Sequence, residues 1–232
     1  MNLLARLFGK EAQRKRWLAK APAGAMHDYL SVPLATSKDS CRDADIVALD
    51  LETTGLDPKK DKILSYGLVH LRRLSILLES SRHGLICVDE EIPEASAVIH
   101  RITDDLAASG QPLAEVLPIL LNELKGRIML VHYARIEQSF MDAACRDLYG
   151  VPFVIPTIDT LVLAQRLFEI RNHTIQAGNL RLFNLRHQYN LPQYQAHNAL
   201  SDALATAELF LAMAAEMYPR QADFPLERFL TH

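Results

Sequence analysis

Cysteine is scarce in this chain, and what there is does not form a pattern. Cys41, Cys87 and Cys145 are far apart and odd in number. That excludes a complete disulfide framework, and the lack of any C-x-x-C spacing excludes a zinc knuckle. Reduced thiols in a cytoplasmic protein are the expectation. No apolar run reaches the length of a membrane span. Met1–Leu7 is apolar but short, and basic residues follow it, so it does not read as a signal peptide. Internal repeats and low-complexity segments are missing as well. With 49% hydrophobic and 23% charged residues, the chain has the makings of a folded core rather than of extensive disorder.

Net charge is also small, at −3 over 232 residues, but it is unevenly placed. Residues 1–25 carry Arg6, Lys10, Arg14, Lys15, Arg16 and Lys20 against Glu11 alone, a net of +5 that leaves −8 for the rest. An acidic body is not what a passive nucleic-acid coat needs. It suits an enzyme whose own carboxylates are offset by bound cations. The length fits one larger domain with extensions: a basic N-terminal extension and linker over 1–44, a domain over 45–217, and a tail over 218–232. The extension reads as a modest amphipathic helix from Asn2 to Leu18 outside the core, solvated or loosely docked. A basic arm touching a phosphate backbone or an acidic partner is the alternative. Ala21 to Arg42, with Pro22, Gly24 and Pro33, reads as a connection with little regular structure.

Periodicity supplies the rest of the outline. Ile46 to Leu49 is a short apolar run of the kind that forms a buried central strand. Ile63 to Leu71 and Leu74 to Glu79 flank Arg72-Arg73 as a hairpin, with a further short strand at Leu85–Val88. Helical spacing then predicts helices over Leu113–Leu124, Ile136–Leu148, Thr160–Ile170, Leu182–Tyr189 and Asn198–Met217, with a short buried strand at Ile128–Val131. Strands first, then strands alternating with helices, predict an α/β fold with a mixed central β-sheet flanked by helices.

Three stretches carry carboxylates where a core would not tolerate them unpaired. Asp50 and Glu52 end the first strand at i and i+2, so they share a face. Like charges so close cost free energy or hold one group protonated, and a divalent cation removes the conflict. Glu137 follows His132 after the strand that ends at Val131, in the first turn of the next helix. His197 precedes the last helix, and Asp202 lies in its first turns among Ala203, Leu204 and Ala205, residues small enough to pack closely on a sheet. Each stretch alone has a bland reading, as an acidic turn, a cap or a structural histidine. Their order and spacing are what is specific: D-x-E, then H-x4-E, then H-x4-D.

With these motifs the chain resembles the DEDD superfamily of 3′–5′ exonucleases, in its histidine-containing (DEDDh, DnaQ-like) subgroup, the one that holds the proofreading epsilon subunit of bacterial DNA polymerase III. Ile46 to Leu56 resembles the first motif over its full length, and His197 to Thr206 resembles the third. Ile99-His100-Arg101-Ile102-Thr103 and Ile158-Asp159-Thr160-Leu161 are similar to intermediate landmarks. The likeness runs from about Asp45 to Met217. In the second motif Tyr133 stands where the family has Asn, and Glu137 where it has Asp.

The resemblance implies a ribonuclease H-like exonuclease fold and a two-metal mechanism with Mg²⁺ or Mn²⁺. Asp50 would bridge both ions, Glu52 and Asp202 would complete the first, and Glu137 would serve the second. His197 would take the proton from the attacking water. It also implies that Thr53, Thr54, Gly55 and Leu56 lie near the terminal nucleotide. His132 is read either as a substrate contact or as a structural histidine that holds its loop. The implied substrate is a nucleic acid with a free 3′ end, single-stranded DNA first, in replication or repair. Two alternatives stay open: a binding module that no longer cuts, and an RNA-trimming exoribonuclease. Aromatic residues that could stack on bases are sparse near the motifs, and Tyr133, Phe140 and Phe183 are all expected in the core. Gln221 to Leu226 resembles the short peptide that binds a sliding clamp; the competing expectation is a tail with Phe224 and Leu226 tucked against the body.

Overall fold

Eight residues, Ile46–Thr53, form the strand around which everything else is layered, and they are apolar on both sides. Ile46 and Ala48 face one helical layer, while Val47, Leu49 and Leu51 face the other. Only a central strand needs two buried faces. The computed structural model describes residues 3–36, 39–100, 102–219 and 224–231, with side chains from residue 9 onward.

Calling that strand β1, β2 (Ile63–Arg72) lies antiparallel beside it, and β3 (Ser75–Cys87) antiparallel beyond. A two-residue β4 (Gln111–Pro112) pairs with β3 at the outer edge. On the other side β5 (Ile128–Val131) and β6 (Thr157–Asp159) run parallel to β1, which gives a mixed six-stranded sheet in the order β4-β3-β2-β1-β5-β6.

Helices cover both faces. α1 (Leu3–Leu18), α2 (Ala25–Ser31), α5 (Leu113–Leu124) and α6 (Arg135–Tyr149) lie on one side. α7 (Thr160–Ile170), α8 (Leu182–Gln188) and α9 (Ala199–Met217) lie on the other, together with Phe224, Leu226, Phe229 and Leu230 of the tail. Two short helices, α3 (Glu94–His100) and α4 (Asp104–Ala108), close a small cluster of Leu64, Ile92, Ile102 and Ala107 beside the hairpin.

Several expectations need correcting. The connection over 21–42 holds a helix, α2, and it buries Met26, Tyr29 and Leu30. The N-terminal helix is docked, not loose. The buried Arg14 guanidinium bonds the Leu30 carbonyl and Glu11, the Lys10 ammonium donates to the Ile155 carbonyl at 2.8 Å, and Trp17 and Leu18 pack on the core. The hairpin strand does not stop at Glu79. It continues to Cys87 and absorbs the separate strand expected at Leu85–Val88, shifting register between Leu68 and His70. Its turn puts Arg73 (φ 53°) and Leu74 (φ 56°) both in the left-handed region, as a two-residue turn between twisted strands requires. Among the described residues, no helix is long and apolar enough to cross a membrane. Arg101 and the Gln221–Asp223 stretch of the clamp-like peptide lie outside the described residues, whereas Phe224 and Leu226 are buried in this chain's own core.

Candidate active site

The site begins with a glycine. Asp50 pairs across the sheet with Gly67 on β2. A Cβ on Gly67 would lie 2.1 Å from the Leu200 backbone nitrogen and 2.2 Å from the Ala199 carbonyl carbon. The first turn of α9 therefore rests directly on the sheet backbone, a contact open only to glycine. Small residues continue the fit, with Ala199, Ala203, Ala205 and Ala207 all buried. The Asn198 side chain caps the helix by accepting from the Ser201 N–H at 3.1 Å. One turn in, Asp202 meets the end of β1.

Asp50, Glu52 and Asp202 each offer an oxygen, and the three lie within 4.8 Å of one another. Glu52 and Asp202 are buried, while Asp50 keeps a partly open side chain. One Asp202 oxygen accepts from the His197 backbone N–H at 3.1 Å. Glu52 Oε1, Asp202 Oδ1 and Glu137 Oε2 are buried without a hydrogen-bond partner. Burial raises the carboxyls of Asp50, Asp202 and Glu137. Asp50 is held well above the usual carboxylate range by burial and then by the charges of Glu137, Glu52 and Asp202. Burial pushes Asp202 up to about 7 against the opposing His197 N–H, and Glu137 up to about 8. Unpaired buried oxygens on crowded acids are what a bound cation relieves, and all are hard donors suited to Mg²⁺ or Mn²⁺. These residues fit a divalent ion.

Glu137 stands slightly apart. It is 3% exposed in the first turn of α6 and close enough to raise Asp50, yet it is not within the 4.8 Å group. The loop before it is held by Asp159, which sequence reading treated only as a landmark. The Asp159 carboxylate accepts from the backbone N–H groups of Tyr133 at 3.0 Å and Ala134 at 2.9 Å, and also caps α7 through Leu161. One side chain thus fixes two helix starts.

His132 packs inward. Its ring nitrogens contact the Thr160 hydroxyl at 2.8 Å and the Leu180 carbonyl at 3.0 Å, and burial holds its pKa below the ordinary histidine value. In this arrangement it positions the loop. Tyr133 departs from the expectation of a core residue: with φ 75° it stays 42% exposed, while Phe140 is buried and Phe183 partly so.

The turn after β1 is built by its own polar groups. The Thr53 hydroxyl donates to the Gly55 carbonyl at 2.7 Å, and the Asp61 carboxylate accepts from the Asp57 N–H at 2.7 Å. A Cβ on Gly55 would strike that carboxylate. Leu56 is left 76% exposed beside the carboxylates in sequence.

His197 sits exposed on the loop before α9 with φ 64°, its ring edge-to-face with His100 at 5.8 Å. His100, which sequence reading did not select, ends α3 and contacts a Glu52 oxygen through Nδ1.

Known proteins resemble this chain in sequence and in fold. The sequence matches the exonuclease family over residues 47–210. It is 34% identical over 175 residues to the PolC-type DNA polymerase III of Thermotoga maritima, a match that takes in 75% of this chain and 12% of that protein. The match to the DNA polymerase III epsilon subunit of Treponema pallidum is 32% over 168 residues, covering 72% of this chain and 75% of the subunit. This chain therefore spans about an eighth of the PolC-type relatives. Among solved structures, the E. coli ExoI–ssDNA complex superposes with a TM-score of 0.67 at 16% identity over 77% of this chain and 42% of that one. The nuclease domain of 3′hExo, a DEDDh family member bound to rAMP, gives 0.66 at 14% over 84% and 99%. Exonuclease X in complex with 5′ overhanging duplex DNA gives 0.59 at 21% over 76% and 95%. These neighbours share the ribonuclease H-like fold.

Proposed function

Because this chain belongs to the exonuclease family, we propose that it removes nucleotides from the 3′ end of DNA by metal-dependent hydrolysis, releasing nucleoside 5′-monophosphates. The observation that supports this reading is the group of half-buried Asp50 and buried Glu52 and Asp202, with a bare oxygen on Glu52 and another on Asp202. Asp50, Glu52 and Asp202 would hold one divalent cation, and Asp50 with Glu137 a second, Mg²⁺ or Mn²⁺. Such ions lower the pKa of water and stabilise a leaving oxygen.

The remaining steps fall to the chain itself. His197, exposed at the rim, takes the proton from the attacking water, a task suited to imidazole near neutrality. Its backbone N–H anchors Asp202, so base and ligand move together. The Thr53–Leu56 turn supports the terminal nucleotide, with exposed Leu56 offering an apolar face to its base and Tyr133 a ring for stacking. Asp159 and His132 hold the loop that presents Glu137. Assembly with a replicative polymerase is the finer proposal, supported by the epsilon and PolC-type relatives.

The test is mononucleotide release from a 3′-terminated single strand, as DNA and as RNA, with Mn²⁺ or Mg²⁺. Asp50→Asn and His197→Gln run beside the native protein. Release that needs metal and Asp50, and that falls about 10²–10⁴-fold in His197→Gln, is expected. Binding of both strands without cleavage would replace the nuclease by a binding module. Cleavage of RNA in preference to DNA would move the substrate.

A further inference from the structure

Glu52 belongs to two groups of possible ligands, and only one of them is the carboxylate cluster. The other is Glu52, His100 and His197, whose ligand atoms also lie within 4.8 Å of one another. Glu52 comes from β1, His100 from the last residue of α3, and His197 from the loop before α9. Glu52 is only 5% exposed. One of its oxygens touches His100 Nδ1, and Oε1 has no partner at all. The two imidazoles stand edge-to-face, at 80° between planes.

The donor chemistry separates the two groups. Three carboxylates suit small hard cations, whereas two imidazoles and one carboxylate suit zinc and its neighbours, with a fourth tetrahedral position left open. Bonds of about 2.0–2.2 Å to such an ion need ligand atoms closer together than 4.8 Å. The His197 side chain is exposed, so its ring is free of core packing.

We propose that Glu52, His100 and His197 form a second metal site, selective for a borderline transition ion of the zinc class, and that filling it stops hydrolysis. A ligated His197 has no lone pair for the water proton, and Glu52 is drawn away from the hard cation. The binding half of the proposal stands alone; the inhibitory half rests on the nuclease reading above.

Calorimetric titration of the chelator-stripped full chain with Zn²⁺, and X-ray absorption of the loaded protein, read the site directly. Expected are one Zn²⁺ per chain with two imidazole ligands, an affinity at least tenfold weaker in both His100→Gln and His197→Gln, and one within about threefold of native in Asp50→Asn. Unchanged affinity in the two histidine variants, or loss confined to Asp50→Asn, would overturn the site. Circular dichroism of each variant separates lost ligands from lost fold, and the imidazole count on the native protein does not depend on any variant. With Mg²⁺ present, mononucleotide release by the native chain should disappear over the Zn²⁺ range in which the site fills. Activity that persists with the site full would sink the inhibitory half. A native chain without activity under any metal would fail the nuclease reading and leave the titration result standing.

Discussion

At the scale of single residues, the carboxylates at the end of β1 are poorly matched to one another until a cation joins them. Asp202 and Glu137 rise from 3.8 and 4.5 to about 7 and 8 on folding, through burial first. The folded chain therefore keeps protons that the unfolded chain has released between about pH 4 and pH 8. Stability falls wherever the native state binds more protons, so metal-free protein should lose stability as pH rises through that window. In chelator, the melting temperature at pH 8 should lie below that at pH 5. Mn²⁺ should restore more at pH 8, and its binding should release protons, seen as a dependence of titration heat on buffer ionisation. A melting temperature in chelator that rises from pH 5 to pH 8 would contradict this. Asp50, Glu52 and Asp202 stood out as acids on an apolar strand and an Ala-rich helix, and His197 only through its spacing from Asp202 in the ordered set of motifs. His100 and Asp159 were not. Their partners, Glu52 and the Tyr133 and Ala134 amides, are neighbours only in the folded chain.

At the scale of elements, the site depends on how closely α9 lies on β2. Gly67→Ala would set a methyl against the Ala199–Leu200 backbone, which cannot give way like a flexible side chain. We expect a loss of about 1–3 kcal/mol in denaturant unfolding. We also expect a larger fall in nuclease rate than in nucleic-acid binding, because Asp202 and His197 move with the helix. Equal falls in the two would count against this. α9 is tied a second time by Arg186 of α8, which is fully buried. Its guanidinium bonds the Ala205 carbonyl at 2.7 Å and Glu208 at 2.7 Å and lies over Tyr194. Arg186→Leu should cost about 3 kcal/mol, since the Ala205 carbonyl and one Glu208 oxygen lose a buried cationic donor while Tyr194 still serves the other Glu208 oxygen. A cost below 1 kcal/mol would refute it.

β1, β5, α5, α7 and α9 could be read from periodicity because each is long or uniformly apolar for its type. α2 and β6 could not, being seven and three residues long and set by what they touch: the core under α5, and β5. The full length of β3 was hidden by Glu79, Ser80, Ser81, Arg82 and His83, which interrupt its apolar pattern on a strand whose residues are mostly half-buried or exposed.

At the scale of the whole molecule, the N-terminal helix and the segment over 224–231 are built into the body that carries the site. α1 is fastened through Lys10 and Arg14, and the tail threads Phe224, Leu226, Phe229 and Leu230 under α7 and α9. Phe229 is fully buried against Phe210, Phe224 and Tyr218. Phe229→Ala should therefore destabilise the protein by about 3–5 kcal/mol, measured by denaturant unfolding. A change under 1 kcal/mol would show the tail to be dispensable.

The seating of α9 on Gly67 also has a consequence in time. β1, β2 and β3 follow one another in sequence and can pair early, but Asp202 lies far beyond Asp50 along the chain. Contacts so remote in sequence are closed late and slowly. A chain refolding from denaturant would thus hold its strands well before Asp202 meets Asp50, and the nuclease activity proposed above would return with the slowest phase of refolding.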